Sequence, residues 1–212
     1  MRYPHSHKQT IRRRILGAAG RVFRERGVAE TGVDDVMRAA GLTHGGFYAY
    51  FDGKAQLVAE ASAEAFAAAI PNLDRIARAP TAAARTRLMI DSYLAARHRD
   101  NRGAGCFVVA VGADMARLKG ELRTEYAREF SAHLDRLAAA LRLSPDPGES
   151  REKSTQLLSA LVGGLLLARA IEDPVRSDAL LQAMRRRLRR EFAGENERAP
   201  QPSATHDFMR AF

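Results

Sequence analysis

Cys106 is the chain's single thiol, and its setting favours a reactive one. It follows Gly105 at the start of an expected helix, with Arg102 near in sequence. A helix N-terminus and a nearby cation both stabilise a thiolate. Oxidation or alkylation at sulfur is the chemistry such a group performs. The competing role is packing as a small apolar residue, the commoner fate of a free cysteine. Aromatic rings, polar tips and soft sulfurs stand on either side of it: Met89, Tyr93, Phe107 and Met115, then Tyr126, Phe130 and His133. Such residues suit the wall of a small-molecule pocket, although a stripe of this kind is more often plain core. The six histidines show no metal-ligand spacing. There is no phosphate loop, dinucleotide fingerprint or nucleophile elbow. No catalytic residue, metal or cofactor is expected.

Phosphate binding is the other chemistry the residues allow. Residues 1–26 carry Arg2, Lys8, Arg12, Arg13, Arg14, Arg21, Arg24 and Arg26 against the single acid Glu25. The whole chain of 212 residues has 34 Lys+Arg against 25 Asp+Glu, a net charge of +9. That surplus points to a polyanionic partner, either nucleic acid or an anionic membrane surface. A charge run alone is usually no more than a solvated helix face. The hydrophobic content of 46% belongs to a globular protein and excludes wholesale disorder. A single cysteine excludes a disulfide scaffold and a cysteine-rich zinc site, and suits a reducing compartment. Arg2 to Arg14 is polar and basic, with none of the apolar stretch of a signal peptide. The longest apolar run, Leu157 to Ala168, is shorter than the roughly 20 residues that span a bilayer. A soluble cytoplasmic protein without a membrane partner is expected.

The elements that must position these residues are helical throughout. Ile11, Ile15, Ala18, Ala19, Val22 and Phe23 share one face of a helix that Gly27 would stop. Val33, Val36, Met37 and Ala40 make a short second helix ending at Gly41. A third segment, Thr43 to Phe51, has Phe47 and Phe51 one turn apart and Thr43 as its N-cap. Longer helices follow: Lys54 to about Ala79 with a kink or break at Pro71, then from the N-cap Thr81 through Arg99. The next run Cys106 to Met115 and Glu121 to Leu141, and after a loop at Leu143 to Gly148, Glu149 to Glu172 and Val175 to Phe192. No segment alternates with a period of two. The expected fold is all-α, three short helices in front and about six longer ones behind. Expected domains are 1–53, 54–192 and a mobile tail at 193–212.

The second and third helices, with the tight glycine turn between them, have the dimensions of a helix-turn-helix. In such motifs the second helix enters the major groove with its N-terminal residues toward the bases. Here those are Thr43, His44, Gly45 and Gly46. Two adjacent glycines cost about 1 kcal/mol each in a helix, which makes sense where the backbone must approach DNA closely.

These residues also resemble a family. Arg14-Ile15-Leu16, Phe23, Gly27, Thr31 to Val36, Ala39 to Phe51 and Lys54 are similar to the TetR/AcrR family of bacterial repressors over about residues 8–60. The resemblance implies phosphate contacts at Thr43, Tyr48, Tyr50 and Lys54, and base-facing positions at His44, Gly45 and Gly46. It implies DNA-backbone contacts at Thr10 and Thr31. Gly32 departs from the usual Ser/Thr before the second helix and forgoes a side-chain cap. His44 stands where lysine or another residue is common. Asp34 and Asp35 are read as helix N-terminal charges.

The same resemblance makes the rear an effector-binding and dimerisation domain. The Gly105-Cys106-Phe107 block resembles a subgroup, some of whose members sense oxidants or electrophiles through a cysteine. Leu158, Leu161, Val162 and Leu165, with Leu180 and Met184 on the last helix, are the candidate dimer surface. The other reading of that apolar helix is the core of one chain. The arginines from Arg185 to Arg190 are expected on an exposed face, with Leu188 and Phe192 turned inward. The partners expected are a double-stranded palindromic operator, a second copy of the chain, and a small-molecule or electrophile effector. The alternative is a basic helical membrane-surface or scaffolding protein.

Overall fold

A computed structural model describes residues 5–194; the expected tail lies outside the described residues from position 195 onward. The architecture is all-helical, with no strand among the described residues. At the front are α1 (His5–Arg26), α2 (Val33–Ala39), a six-residue 3-10 helix (His44–Ala49) and the start of α3 (Lys54–Ala77). Behind them come α4 (Ala82–Tyr93), α5 (Ala96–Asp100), α6 (Phe107–Arg117), α7 (Glu121–Leu141), α8 (Pro147–Ala170) and α9 (Pro174–Ala193).

Gly27 and Gly41 both adopt positive φ, 83° and 65°, so each ends its helix in the left-handed conformation glycine takes without strain. Gly32 has no side chain to cap α2. Asp35 reaches back instead and accepts the Gly32 N–H at 3.0 Å. Thr81 caps α4 as expected, accepting the Ala84 N–H at 3.1 Å. Asp146 and Asp173 cap α8 and α9, each followed by a proline at the first helical position.

Several boundaries depart from the sequence reading. Residues 44–49 form a 3-10 turn instead of an α-helix, because two glycines in six residues lend too little propensity for a full helix. Helix α3 continues through Pro71. The expected helix from Thr81 to Arg99 divides at Leu94, which is wholly buried, and α5 starts afresh. There the imidazole of His98 takes the Tyr93 carbonyl at 2.7 Å, in place of a continuing helical turn. Helix α8 starts at Pro147 and not Glu149, since Asp146 supplies a cap and Pro147 a preset first turn.

Two apolar cores result. The front core joins Ile15 and Phe23 of α1, Met37 of α2, Phe47 and Phe51 around the 3-10 turn, and Leu57 of α3. Phe107, Val111 and Met115 of α6 are buried in it too, so α6 ties the rear of the molecule to the front. The rear core is built on α4, α7, α8 and α9, with Ile90, Leu137, Leu157, Leu161, Leu165 and Leu188 at its centre. Leu158, Leu161 and Leu165 therefore lie inside their own protomer and cannot meet a partner; the single-chain-core reading holds for them. The periodicity showed that the helix is covered on nearly all sides and not by what.

Candidate nucleic-acid interface and effector cavity

The 3-10 turn has an inner and an outer edge. Phe47 anchors the inner edge, fully buried and stacked on Phe51 with ring centroids 5.5 Å apart. The outer edge presents Thr43, His44, Gly45 and Tyr48 to solvent, and Tyr48 is 66% exposed. His44 lies edge-on to Tyr48, with centroids 6.1 Å apart, and its Nδ1 contacts Asp34 of α2. Asp34 thus holds the imidazole in addition to complementing the helix dipole.

Neither recognition glycine is required by the protein itself. Both lack positive φ; a Cβ on Gly45 would meet nothing within 4 Å, and one on Gly46 would make ordinary contact with Met37 at 3.7 Å. Tyr50 is half-buried beside the front core, its carbonyl accepting from Arg12 Nε at 3.4 Å. Lys54 opens α3 next to this edge, and Thr10 lies exposed on α1.

Thr31 departs from its expected role. It is 1% exposed, and its hydroxyl donates to the Gly27 carbonyl at 2.6 Å, closing the end of α1. Its side chain is committed to the fold and does not face a phosphate. The basic run is also partly absorbed. Arg12 pairs with Glu60 of α3 and lies over the Phe51 ring at 4.7 Å, and Arg26 reaches Asp35 at 3.4 Å.

The second feature is a half-open cavity of about 390 Å³ lined by α1, α3, α4, α5, α6, α7 and α8. Cys106, Met89, Tyr93, Phe107 and His133 line it, as the sequence reading grouped them. Met115 does not; it is buried in the front core. Tyr126 and Phe130 stand one layer back, stacked on each other and packed against the lining ring of Phe66, at 5.7 and 6.1 Å between centroids. Among the lining residues that escaped the sequence reading are Phe66, His98 and Arg24. Arg24 was counted among the DNA-facing charges. The guanidinium folds back toward Gly20, one turn earlier, where an added Cβ would lie 3.4 Å from Nη1.

Cys106 is half-buried as the N-cap of α6, so the helix-start expectation holds. Its backbone N–H donates to His98 Nε2 at 2.9 Å. Since Nε2 accepts, His98 is the Nδ1–H tautomer and donates to the Tyr93 carbonyl. Both ring nitrogens are used, and neither is left to act as base toward the thiol. Burial lowers the pKa of His98 below the ordinary 6.5, and burial followed by nearby Arg136 does the same to His133. Burial also pushes the Tyr93 hydroxyl well up, with Cys106 beside it adding to the shift, and takes Tyr126 to about 12.

The two histidines set an acid limit on stability. Each is neutral in the fold and resists protonation, whereas the unfolded chain takes the proton near 6.5. Their contribution is complete above 6.5 and is lost as pH falls through the lowered folded values. Melting temperature is expected to fall steadily as pH is taken from 7.5 toward 5. The double replacement His98→Gln and His133→Gln flattens that slope; an unchanged slope assigns the acid lability to other groups.

A helix-turn-helix with an exposed outer edge, joined through α6 to an all-helical domain with a half-open cavity, defines a helix-turn-helix regulator of the two-domain kind. The chain belongs to the tetR family of bacterial regulatory proteins. Residues 15–61 match that family's N-terminal model, and residues 82–190 match the tetracyclin repressor-like C-terminal domain. It is a member of a regulator family and not an enzyme.

The chain is 46% identical over 50 residues to the HTH-type transcriptional regulator TtgR of Pseudomonas putida. That stretch is 24% of this chain and 24% of TtgR, so about a quarter of that relative's length is matched. In fold, it is similar to the reduced form of E. coli NemR, at a TM-score of 0.69 and 19% identity, covering 84% of this chain and 95% of that one. It is also similar to AibR in complex with isovaleryl coenzyme A and operator DNA, at 0.61 and 19%, covering 86% and 98%. No helix among the described residues is long and apolar enough to cross a membrane.

Proposed function

We propose that the chain is a homodimeric transcriptional repressor that grips a palindromic DNA operator and releases it when a small molecule occupies the cavity. The observation that carries this reading is the two-edged 3-10 turn. Its inner edge is locked by Phe47, while His44, Gly45 and Tyr48 project outward and stay exposed among the described residues. In this reading His44, Gly45 and Gly46 face bases, and Thr43, Tyr48, Tyr50, Lys54 and Thr10 hold phosphates. DNA contact belongs to residues 1–53 with Lys54 just beyond, and effector and dimer contacts to 54–192 with Arg24 added to the cavity wall. Two recognition segments of a dimer would reach successive major grooves about 34–36 Å apart. An effector lowers affinity by preferring a dimer with a different spacing. Family membership favours this over a membrane-surface or scaffolding role.

Cys106 supports a second route of release. Its half-buried place on the cavity wall lets an electrophile that enters the cavity reach the sulfur. Oxidation or alkylation there would act as a covalently held effector.

The test is a salt titration of binding to DNA from upstream of the chain's own gene, against a scrambled duplex. Selective binding is expected, and His44→Ala and Tyr48→Ala each weaken it by about 1–3 kcal/mol, or about five- to 150-fold. Both variants keep the wild-type melting temperature. If His44→Ala and Tyr48→Ala bind like wild type, the outer edge is not the DNA surface. A quinone that releases wild type but not Cys106→Ser assigns release to the thiol. Release of both assigns it to occupancy of the cavity.

A further inference from the structure

We infer that the cavity takes a small organic acid, an apolar body ending in one carboxylate, and that this carboxylate pairs with Arg24 on the first helix of the DNA-binding domain. The inference rests on the reading of the cavity as an effector site and names the effector's chemical class.

Arg24 is the first ground. Among the described residues lining the cavity it carries the only formal charge, and no acid lines the wall. Three other guanidinium groups drawn inward meet carboxylates, Arg12 with Glu60, Arg99 with Asp178 and Arg189 with Asp91, while Arg85 and Arg169 spend their N–H groups on backbone carbonyls. Arg24 meets no carboxylate among the described residues. Its Nε is buried without a hydrogen-bond partner, and its Nη1 makes a long 3.4 Å contact with the Gly103 carbonyl. Its remaining support is the Phe107 ring, 5.5 Å away. Burial lowers its pKa, with only the neighbouring Cys106 thiol acting the other way. A buried charge is strongly stabilised by pairing.

The other polar atoms agree on the sign of the ligand. On the walls of the same cavity His133 Nδ1 is likewise buried without a partner, and the buried Tyr93 OH has only the Cys106 thiol beside it. Tyr93 keeps its proton and is a donor, and His133 is neutral and can donate through Nδ1. A guanidinium and two neutral groups with hydrogen to give suit an anion and oppose a cation. The rest of the wall, including Phe66, Leu73, Met89 and Leu158, is apolar. At about 390 Å³ the cavity lies near the lower end of small-molecule sites, where one ring or a short chain fills the space.

The position of Arg24 gives the ligand its leverage. It lies two residues before the end of α1, and Gly27 then turns the chain toward the helix-turn-helix. Helix α6, whose first residues line the cavity, holds that turn from its other end: Asp114 accepts the Val28 N–H at 2.9 Å. A carboxylate drawn between Arg24 and Tyr93 would bridge α1 to α4 and shift the base of the DNA-binding domain.

The test uses the full chain without DNA and two probe acids, 3-phenylpropionate and octanoate, each beside its neutral primary amide. At least one acid is expected to bind in calorimetry and raise the melting temperature, with its amide about tenfold weaker or worse. Arg24→Gln abolishes the preference for acid over amide. Arg24→Lys keeps part of it, and Tyr93→Phe weakens the acid while remaining folded by circular dichroism. Equal binding of acid and amide, retention of the preference in Arg24→Gln, or no response to either acid at millimolar concentration overturns the inference. Operator binding by the same samples separates the two levels. If it persists without a carboxylate response, only the ligand class is lost; if it is absent in wild type, the regulator reading goes too.

Discussion

Phe47→Ala is expected to lower stability by about 3–5 kcal/mol and to abolish operator binding. Phe47 is 0% exposed and is the buried side chain that anchors the six-residue 3-10 turn. Its ring stacks on Phe51 and meets Tyr48 edge-on at 5.3 Å. At its two ends the turn is tied by Gly46 N–H to the Thr43 carbonyl and by Tyr50 and Phe51 N–H to the Phe47 carbonyl. With Gly45 and Gly46 inside it, the segment has almost no local preference to hold its shape. Removing the ring opens a cavity and frees the outer edge together. Urea denaturation measures the first effect, and hydrogen exchange across residues 43–51 the second. Tyr48→Ala is the control, since an exposed substitution stays within about 0.5 kcal/mol. A Phe47→Ala chain as stable as wild type, with slow exchange in this segment, would mean the turn is held by something other than its buried ring.

The front of the molecule was legible because local signals there agree with the fold. Gly27 and Gly41 mark positive φ, and Phe47 and Phe51 share one buried side. The grouping of Cys106 with Met89, Tyr93, Phe107 and His133 was legible through polar tips on apolar faces. Arg24 and Thr31 were not. An arginine in a basic run and a threonine before a helix look the same whether they face solvent or the interior. Only the packing of α6 against α1 turns one inward, and only the Gly27 carbonyl holds the other. The same limit applies to α8: hydrophobic period shows that a face is covered, and the neighbouring helices decide whether the cover is α4, α9 or a second chain.

What α8 leaves uncovered sets the remaining expectation. Leu166 and Leu167 near its end are 52% and 58% exposed, and Val175 at the start of α9 is 76% exposed. Apart from Tyr48 on the DNA edge, these are the exposed large apolar side chains of the described residues. The dimer surface proposed for α8 and α9 therefore shifts from the buried Leu158, Leu161 and Leu165 to this patch, with the half-buried Val162, Leu180 and Met184 nearby. The double replacement Leu166→Asp and Leu167→Asp places two charges there while leaving the core side of α8 intact. The protomer is expected to keep its helicity and melting behaviour but to sediment as a monomer. Operator affinity then falls by about 10²–10⁴-fold, because the second half-site is no longer held at high effective concentration by the first. Binding to an isolated half-site should change little, since the outer edge of each recognition segment is untouched. A double variant that remains dimeric and grips the full operator would place the dimer contact elsewhere on the rear domain.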